Sequence, residues 1–231
     1  MDCDSSPEFK LSIIIPALNE AAMIAPTLSG LEMFKSNRVE IIVVDGGSTD
    51  RTVEIANQTA DRVLIEPGGR AIQMNHGAKH ARGTYLLFLH ADTRMPSNTL
   101  EILNQCFEHN WVWGRFDVRL SGLNPLFRVV EYCINLRSRL SGIASGDQSI
   151  FVMRTIFHTL GGYPEIPIME DIALSKQLKK ISRPVCLRQK VITSSRRWEQ
   201  RGIRRTIILM WTLRFLYFLG ADPRILARWY R

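Results

Sequence analysis

The chain has 231 residues, enough for one large domain or a domain with a sizeable appendage, and its apolar and charged content is ordinary for a globular protein. Its four cysteines, Cys3, Cys106, Cys133 and Cys186, show no CxxC or other metal-ligand spacing, which excludes a cysteine-built metal site and reads as reduced thiols in the cytosol. The net charge of +8 belongs to the tail: residues 181–231 hold 12 Lys/Arg against Glu199 and Asp222, whereas residues 1–180 hold 18 against 20 acidic groups.

The opening Met1-Asp2-Cys3-Asp4 lacks an apolar leader core and argues against secretion. Residues 11–15 are an apolar β-rich run, stopped by Pro16. Asn19 is placed to cap a helix over 20–34. A second strand over 40–44 ends at Asp45-Gly46-Gly47-Ser48-Thr49-Asp50, where Ser48 or Thr49 could cap a helix over 51–59. Residues 63–65 form a third strand, and Gly68-Gly69 lead into a helix over 70–81. A fourth strand covers 85–89. Strands alternating with helices at this spacing imply right-handed βαβ units and a mostly parallel sheet.

The second half is less regular. It reads as a helix over 97–108, a strand over 112–120, a helix from Asn124-Pro125 to residue 140 and a small-residue loop over 141–146. A strand over 149–153, a turn at Gly161-Gly162-Tyr163-Pro164 and a helix over 170–180 follow, and a last helical stretch begins near Gly202. No repeat or linker divides the chain.

The most informative stretch is Leu86-Leu87-Phe88-Leu89-His90-Ala91-Asp92-Thr93. A continuous apolar run reads as a strand buried on both faces, and ligands of parallel sheets bind just beyond the carboxyl ends of such strands. Asp45 and Asp92 both directly follow apolar strands, so both fall on one sheet edge if those strands are parallel neighbours. Hard cations such as Mg2+ and Mn2+ take one or two carboxylates and fill the remaining positions with phosphates and water. His90 could add a nitrogen ligand, which suits Mn2+ better, or be an ordinary hydrogen-bonded histidine. Glu170 and Asp171 begin a helix, where carboxylates also simply favour the dipole. No GxGxxG and no GxxxxGK[ST] occurs, which weighs against dinucleotide dehydrogenases and P-loop NTPases.

Pro16-Ala17-Leu18-Asn19-Glu20, Val43-Val44-Asp45-Gly46-Gly47-Ser48-Thr49-Asp50 and Leu87-Phe88-Leu89-His90-Ala91-Asp92 together resemble glycosyltransferase family 2. Asn75, Gly77, Ala81 and Gly83-Thr84-Tyr85 match the helix that precedes that family's metal-binding strand. The likeness continues through Gly146-Asp147-Gln148, Gly161-Gly162-Tyr163-Pro164-Glu165 and Glu170-Asp171 to Arg196-Arg197-Trp198, and is strongest to bacterial proteins linked to arsenosugar biosynthesis. Each motif is weak alone; their joint order and spacing are specific.

The resemblance implies a GT-A fold over residues 1–200, with helices on both faces of the sheet, and a basic amphipathic helical extension over 201–231. It implies an inverting transfer from a nucleotide sugar, UDP-linked by expectation, to the hydroxyl of a small-molecule or lipid-linked acceptor. By it, Pro16, Glu20, Asp45, Arg70 and Asn75 would lie on the donor side. Asp92, with His90, would hold Mn2+ or Mg2+, and Asp171 would be the general base. Gly146, Asp147, Gln148 and Glu170 would face the acceptor. One departure stands out: His90 replaces the first aspartate of the usual metal motif. A nucleotide-sugar-binding protein without transfer activity, held at a membrane by its basic tail, is therefore the alternative. A nucleotidyltransferase would share the sheet and the metal.

Arg196, Arg197, Trp198, Arg201, Arg204 and Arg205 form the densest basic cluster. Arg197 and Trp198 could close over the donor diphosphate, since the arginine fork matches phosphate oxygens. The cluster also flanks an apolar stretch too short, and too interrupted by Arg214, to span a bilayer. Ile207, Ile208, Trp211, Phe215 and Phe218 are expected to pack on the main domain or on a second copy of the chain. Peripheral contact with anionic lipid at the inner face of the plasma membrane is the next reading. No recognised nucleic-acid motif accompanies the charge, and a cytoplasmic location is the expectation.

Overall fold

The computed structural model describes residues 9–230, so the expectation drawn from Met1–Asp4 lies outside the described residues. Strands β1 (Leu11–Ala17), β2 (Val39–Asp45) and β3 (Arg62–Ile65) alternate with helices α1 (Ala21–Ser29) and α2 (Thr52–Thr59). Helix α3 (Arg70–His80) leads to β4 (Tyr85–Phe88), followed by the two-residue strand β5 (Thr93–Arg94), α4 (Thr99–Glu108) and β6 (Trp113–Leu120). The remainder comprises α5 (Pro125–Ser141), β7 (Ile150–Met153), α6 (Arg154–Thr159), α7 (Glu170–Ile181), β8 (Val185–Thr193), α8 (Arg196–Arg201), α9 (Ile203–Phe218) and α10 (Pro223–Tyr230).

One eight-stranded sheet runs β3-β2-β1-β4-β7-β6-β8-β5. It is mixed: β3-β2-β1-β4 and β6-β8 pair in parallel, and β4-β7, β7-β6 and β8-β5 pair antiparallel. Successive side chains of a strand point to opposite faces. Ile13 and Ile15 therefore pack with Ile24 and Leu28 of α1 and Leu103 of α4, while Ile14 packs with Ala71, Met74 and Ala78 of α3. Helices thus cover both faces, which is why β1, β2 and β4 are apolar without alternation.

Several boundaries moved for identifiable reasons. Strand β1 continues through Pro16, because β4 pairing ends at Ile14–Phe88 and the donor that proline lacks falls where no partner strand remains. The helix expected over 20–34 stops at Ser29: Pro26 removes an intrahelical bond, and the chain tightens into a 3-10 turn over Glu32–Asn37. Asn19 does not cap α1; it takes a left-handed φ of 53° and accepts from the backbone of Thr49. Neither Ser48 nor Thr49 caps α2; the Asp50 carboxylate accepts from the backbone of Thr52 instead. Asn124 caps α5 by accepting from the N–H of Leu126.

Strands β5 and β8 and helices α6, α8 and α10 carry no signal strong enough to read in advance. In β8, Arg188, Gln189 and Lys190 interrupt the apolar pattern, yet the strand pairs with β6 across a register shift between Arg115 and Asp117. The tail docks differently from expectation. Thr206 and Leu213 are the buried residues of α9, and Leu213 joins Ile168, Met169, Ile172 and Leu226 in a small core beside the start of α7. Ile207 is half-buried, against α5. Ile208, Trp211, Phe215 and Phe218 do not pack on the domain: all four are exposed, Phe218 at 77%. A core-facing stripe of α9 was already filled by Thr206, Leu209, Leu213 and Leu216, a quarter-turn or more away from them. Among the described residues no helix is long and apolar enough to cross a membrane.

Candidate functional site

The carboxyl ends of β1 and β4 open onto a cavity of about 670 Å³, closed on its far side by α8 and α9. Pro16, Glu20, Arg70, His90, Asp92 and Arg197 all line it, as do Asp147 and Trp198. The strand β5 explains how so distant a segment arrives there. Thr93 pairs with Thr193 and their hydroxyls meet at 3.0 Å, so the Asp92 loop is pinned to the residues that start α8. Among the described residues the Asp92 carboxylate makes no hydrogen bond or ion pair within the protein.

A second cavity, of about 350 Å³, adjoins the first and shares Arg70, His90, Asp147 and Trp198 with it. Glu170 and Asp171 line it with Gly146. Met169, in a left-handed conformation at φ 69°, turns the chain so that both acids fall in the first turn of α7. The two acids have different partners. Glu170, 3% exposed, receives Arg70 Nε at 2.8 Å on Oε1, and its Oε2 is buried without a partner. Asp171 Oδ2 accepts from the N–H of Gly146 at 2.7 Å and Oδ1 from the N–H of Ile172.

Electrostatics divide the cluster. Burial pushes the Glu170 carboxyl up, and Asp171 adds to this, with Arg70 opposing. Burial pulls Arg70 down, yet Glu170, Asp171 and Asp147 together hold it above its ordinary value. Burial raises Asp147 as well, but the hydrogen bond from His90 and the charges of Arg70 and Arg197 outweigh it and leave the group lowered. Arg70 occupies its place because Gly68 and Gly69, at φ 136° and 102°, make a turn that starts α3 at Arg70.

His90 Nδ1 lies 3.3 Å from Asp147 Oδ1 and Nε2 lies 3.4 Å from Arg70 Nη1. Since arginine only donates, this arrangement fits the tautomer in which Nδ1 carries the proton and points it at Asp147. Both ring nitrogens are thus engaged by the protein, and among the described residues no group of three His, Cys, Asp or Glu gathers as a metal site. The donor set fits a cation held by one carboxylate with ligand oxygens, not one caged by protein.

Asp45, Asn75 and Gln148, also singled out by the sequence, lie outside both cavities. Asp45, 1% exposed, spends its oxygens on the N–H groups of Gly47 and Ser48 and the Ser48 hydroxyl, and so shapes the turn after β2. Asn75 exchanges two 2.8 Å hydrogen bonds with the backbone of Tyr163, clamping the Gly161–Gly162 turn onto α3. Gln148 is buried and reaches the N–H of Ser145 and the Asn135 side chain. Arg196 is tied at 3.0 Å to the Glu20 carboxylate across the cavity rim, and Arg197 is held by the hydroxyl and ring of Tyr230. Gln73 was missed: it lines the larger cavity and donates to the carbonyl of Ala17, three residues after Arg70 on the same helical face. Arg137 and Arg214 were also missed as site residues; both line the second cavity.

Known proteins bear on this arrangement. A Mycobacterium tuberculosis protein described as a PGL/p-HBAD biosynthesis glycosyltransferase is 43% identical over 88 residues, covering 35% of this chain and 34% of its own. A Staphylococcus aureus poly-beta-1,6-N-acetyl-D-glucosamine synthase is 26% identical over 186 residues, covering 73% and 45%. The chain therefore spans less than half the length of either relative. Among solved structures, S. aureus TarS 1-349 in complex with UDP-GlcNAc superimposes with a TM-score of 0.65 at 23% identity, over 80% of this chain and 58% of that one. The mannosyltransferase PcManGT of Pyrobaculum calidifontis, solved with GDP-Man and Mn2+, gives 0.61 at 19% identity, over 83% and 60%. These likenesses establish the GT-A architecture. The profile of the family described as Glycosyl transferase family 2 matches residues 12–158, and the chain belongs to that family.

Proposed function

We propose that this chain is an inverting glycosyltransferase that moves a sugar from a nucleoside-diphosphate donor to an acceptor hydroxyl and depends on a divalent cation. The observation that carries the reading is the meeting of two cavities at Arg70, His90 and Asp147, with free Asp92 on one side and backbone-held Asp171 on the other. The donor would lie in the larger cavity, its diphosphate between Arg70 and Arg197, and the acceptor in the smaller. Asp92 would hold Mn2+ or Mg2+. When bound, the cation supplies charge stabilisation to the departing diphosphate.

The remaining chemistry belongs to side chains of this chain. The acceptor oxygen bonds to the anomeric carbon as the carbon–oxygen bond to the diphosphate breaks, and the leaving group keeps that electron pair. The acceptor proton passes to the Asp171 carboxylate. Glu170 is unsuited to this role because it is paired to Arg70. Two backbone donors fix the Asp171 carboxylate in orientation, which lowers the cost of aligning base and hydroxyl. Arg70 links the two halves, since one guanidinium orients Glu170 and faces the diphosphate.

Within the family, the ordered motifs from Pro16 to Trp198 support the group linked to arsenosugar biosynthesis, and a location at the cytoplasmic side of a membrane suits the exposed apolar face of α9. The test is a thermal-shift screen of UDP- and GDP-sugars with and without Mn2+, followed by assay of nucleoside diphosphate release. Metal-stimulated binding and release are expected. Binding without release would favour a non-catalytic binder, and no binding of any nucleotide sugar would sink the proposal.

A further inference from the structure

The smaller cavity contains two positive charges that the transfer reaction does not use. Arg137 of α5 and Arg214 of α9 both line it, close enough for their charges to interact. Among the described residues neither guanidinium forms a hydrogen bond or ion pair, and Arg137 Nη2 is fully buried without a partner. Burial, with the nearby charge of Arg214, pushes Arg137 down to about 10, and burial lowers Arg214 as well, with the charge of Asp171 opposing both shifts and that of Asp147 opposing the second. Guanidinium groups stay protonated at neutral pH, so the two repel each other across one cavity, and among the described residues neither has a carboxylate at ion-pair distance, although the charge of Asp171 acts on both. The carboxylates near them are already engaged: Glu170 by Arg70, Asp147 by His90, and Asp171 by two backbone groups.

The rest of that cavity is apolar. Val129, Cys133 and Ile134 of α5 face Ile207, Met210 and Trp211 of α9. The apolar wall does not end at the cavity mouth. It runs out over Tyr132 and Leu136 on one helix and Ile208 and Phe215 on the other, all exposed. An inner pair of cations under an apolar groove that opens onto an apolar surface matches one chemistry: an anionic head with a long hydrocarbon body.

We propose that Arg137 and Arg214 form an anion subsite beside Asp171, and that the acceptor is a lipid carrying a phosphate group, its hydrocarbon part lying between α5 and α9. This rests on the reading that the Asp171 cavity receives the acceptor. The phosphate neutralises the two guanidiniums with charge-assisted, forked hydrogen bonds. The groove walls take the chain, and the exposed face of the two helices meets the bilayer from which the lipid is drawn.

The test is a binding measurement that needs no donor, cation or turnover. Dodecyl phosphate is titrated into the full chain below its micelle concentration, read by tryptophan fluorescence from Trp211 and Trp198. Dodecanol and inorganic phosphate serve as neutral and tail-free probes. Saturable binding of dodecyl phosphate at least tenfold tighter than either probe is expected. Arg137→Gln and Arg214→Gln should each weaken it about tenfold, with Arg214→Lys keeping part of the affinity. Val129→Glu, at an exposed position that folding tolerates, should weaken it by placing a negative charge at the mouth. Equal binding of dodecanol would overturn the anion subsite, and equal binding of inorganic phosphate would overturn the lipid. Undiminished binding by the folded Arg variants would overturn the assignment of these residues. If dodecyl phosphate binds as expected while no nucleotide sugar does, the subsite stands and the transfer reading falls.

Discussion

The backbone N–H of Gly146 donates to Oδ2 of Asp171 at 2.7 Å, tying the loop between α5 and β7 to the first turn of α7. The bond fixes the carboxylate in the wall of the smaller cavity, and an asparagine could accept it through its carbonyl while giving up the bond from the Ile172 N–H to the other oxygen. Asp171→Asn should therefore keep the fold and donor binding yet lose transfer by about 1000-fold, the usual contribution of a positioned base. Paired calorimetric titration and initial-rate assays check this; turnover within tenfold of wild type would remove Asp171 from the role.

Gly146 has no room for a side chain. A Cβ there would sit 2.7 Å from His90 Nε2 and 3.0 Å from Cε1. Gly146→Ala must displace either the imidazole or the loop that holds Asp171. Transfer should fall by about 100-fold, as expected when a catalytic group is misplaced by about an ångström. The melting temperature should fall only modestly, because the residue lies in a surface-lining loop.

Asp92 makes no hydrogen bond or ion pair among the described residues and only a longer-range charge interaction with Arg197, so Asp92→Ala should leave the melting temperature of the free protein within a degree or two of wild type. The same substitution should abolish the additional thermal shift that Mn2+ gives to a bound nucleotide sugar. EDTA on the wild type should mimic it, and re-addition of Mn2+ should restore the shift in wild type alone.

Glu170 sets a pH signature. Its carboxyl is raised above the ordinary 4.5, burial being the main cause, so the folded state holds this proton more tightly than the unfolded chain. The ionised group therefore costs stability above its folded pKa, and that cost is relieved as pH falls through the folded value towards about 4.5. Urea midpoints measured from pH 7.5 to 4.5 should show wild type gaining on Glu170→Gln as pH falls. A constant gap between the two would contradict the shift.

Asn75 separates stability from donor binding. Its amide exchanges two hydrogen bonds with Tyr163, and it lies outside both cavities. Asn75→Ala should cost about 2 kcal/mol, near 1 kcal/mol per bond, in denaturant unfolding. The KM for donor should stay within about twofold; a large rise in KM alone would return Asn75 to the donor side.

Much of the site was legible in the chain because it depends on local signals. The apolar runs before Asp45 and Asp92 mark strands buried on both faces, and a charged residue directly after such a run must lie at the sheet edge, since lone carboxylates are costly inside. Gly68-Gly69 before Arg70 and the acid pair before a helical pattern are equally local. From these, the chain resembles the family whose profile matches residues 12–158, and Asp92, Arg70 and Asp171 fall in the walls of the two cavities.

Tertiary structure decided which of these residues share a cavity. Asp45 has the same strand-end signature as Asp92, yet its oxygens go to its own turn, because Gly47 and Ser48 offer N–H groups within reach whereas nothing near Asp92 does. Strand β8 escapes detection because its polar residues break the pattern, and only pairing with β6 and β5 makes it a strand that delivers Arg197 and Trp198. Arg214 reads in the sequence as a mere interruption of an apolar helix. It becomes a candidate ligand group only when the fold brings α9 and α5, far apart in the chain, to line one cavity with Arg137. Local patterns report burial and backbone conformation; which charges are left without partners is settled only by packing.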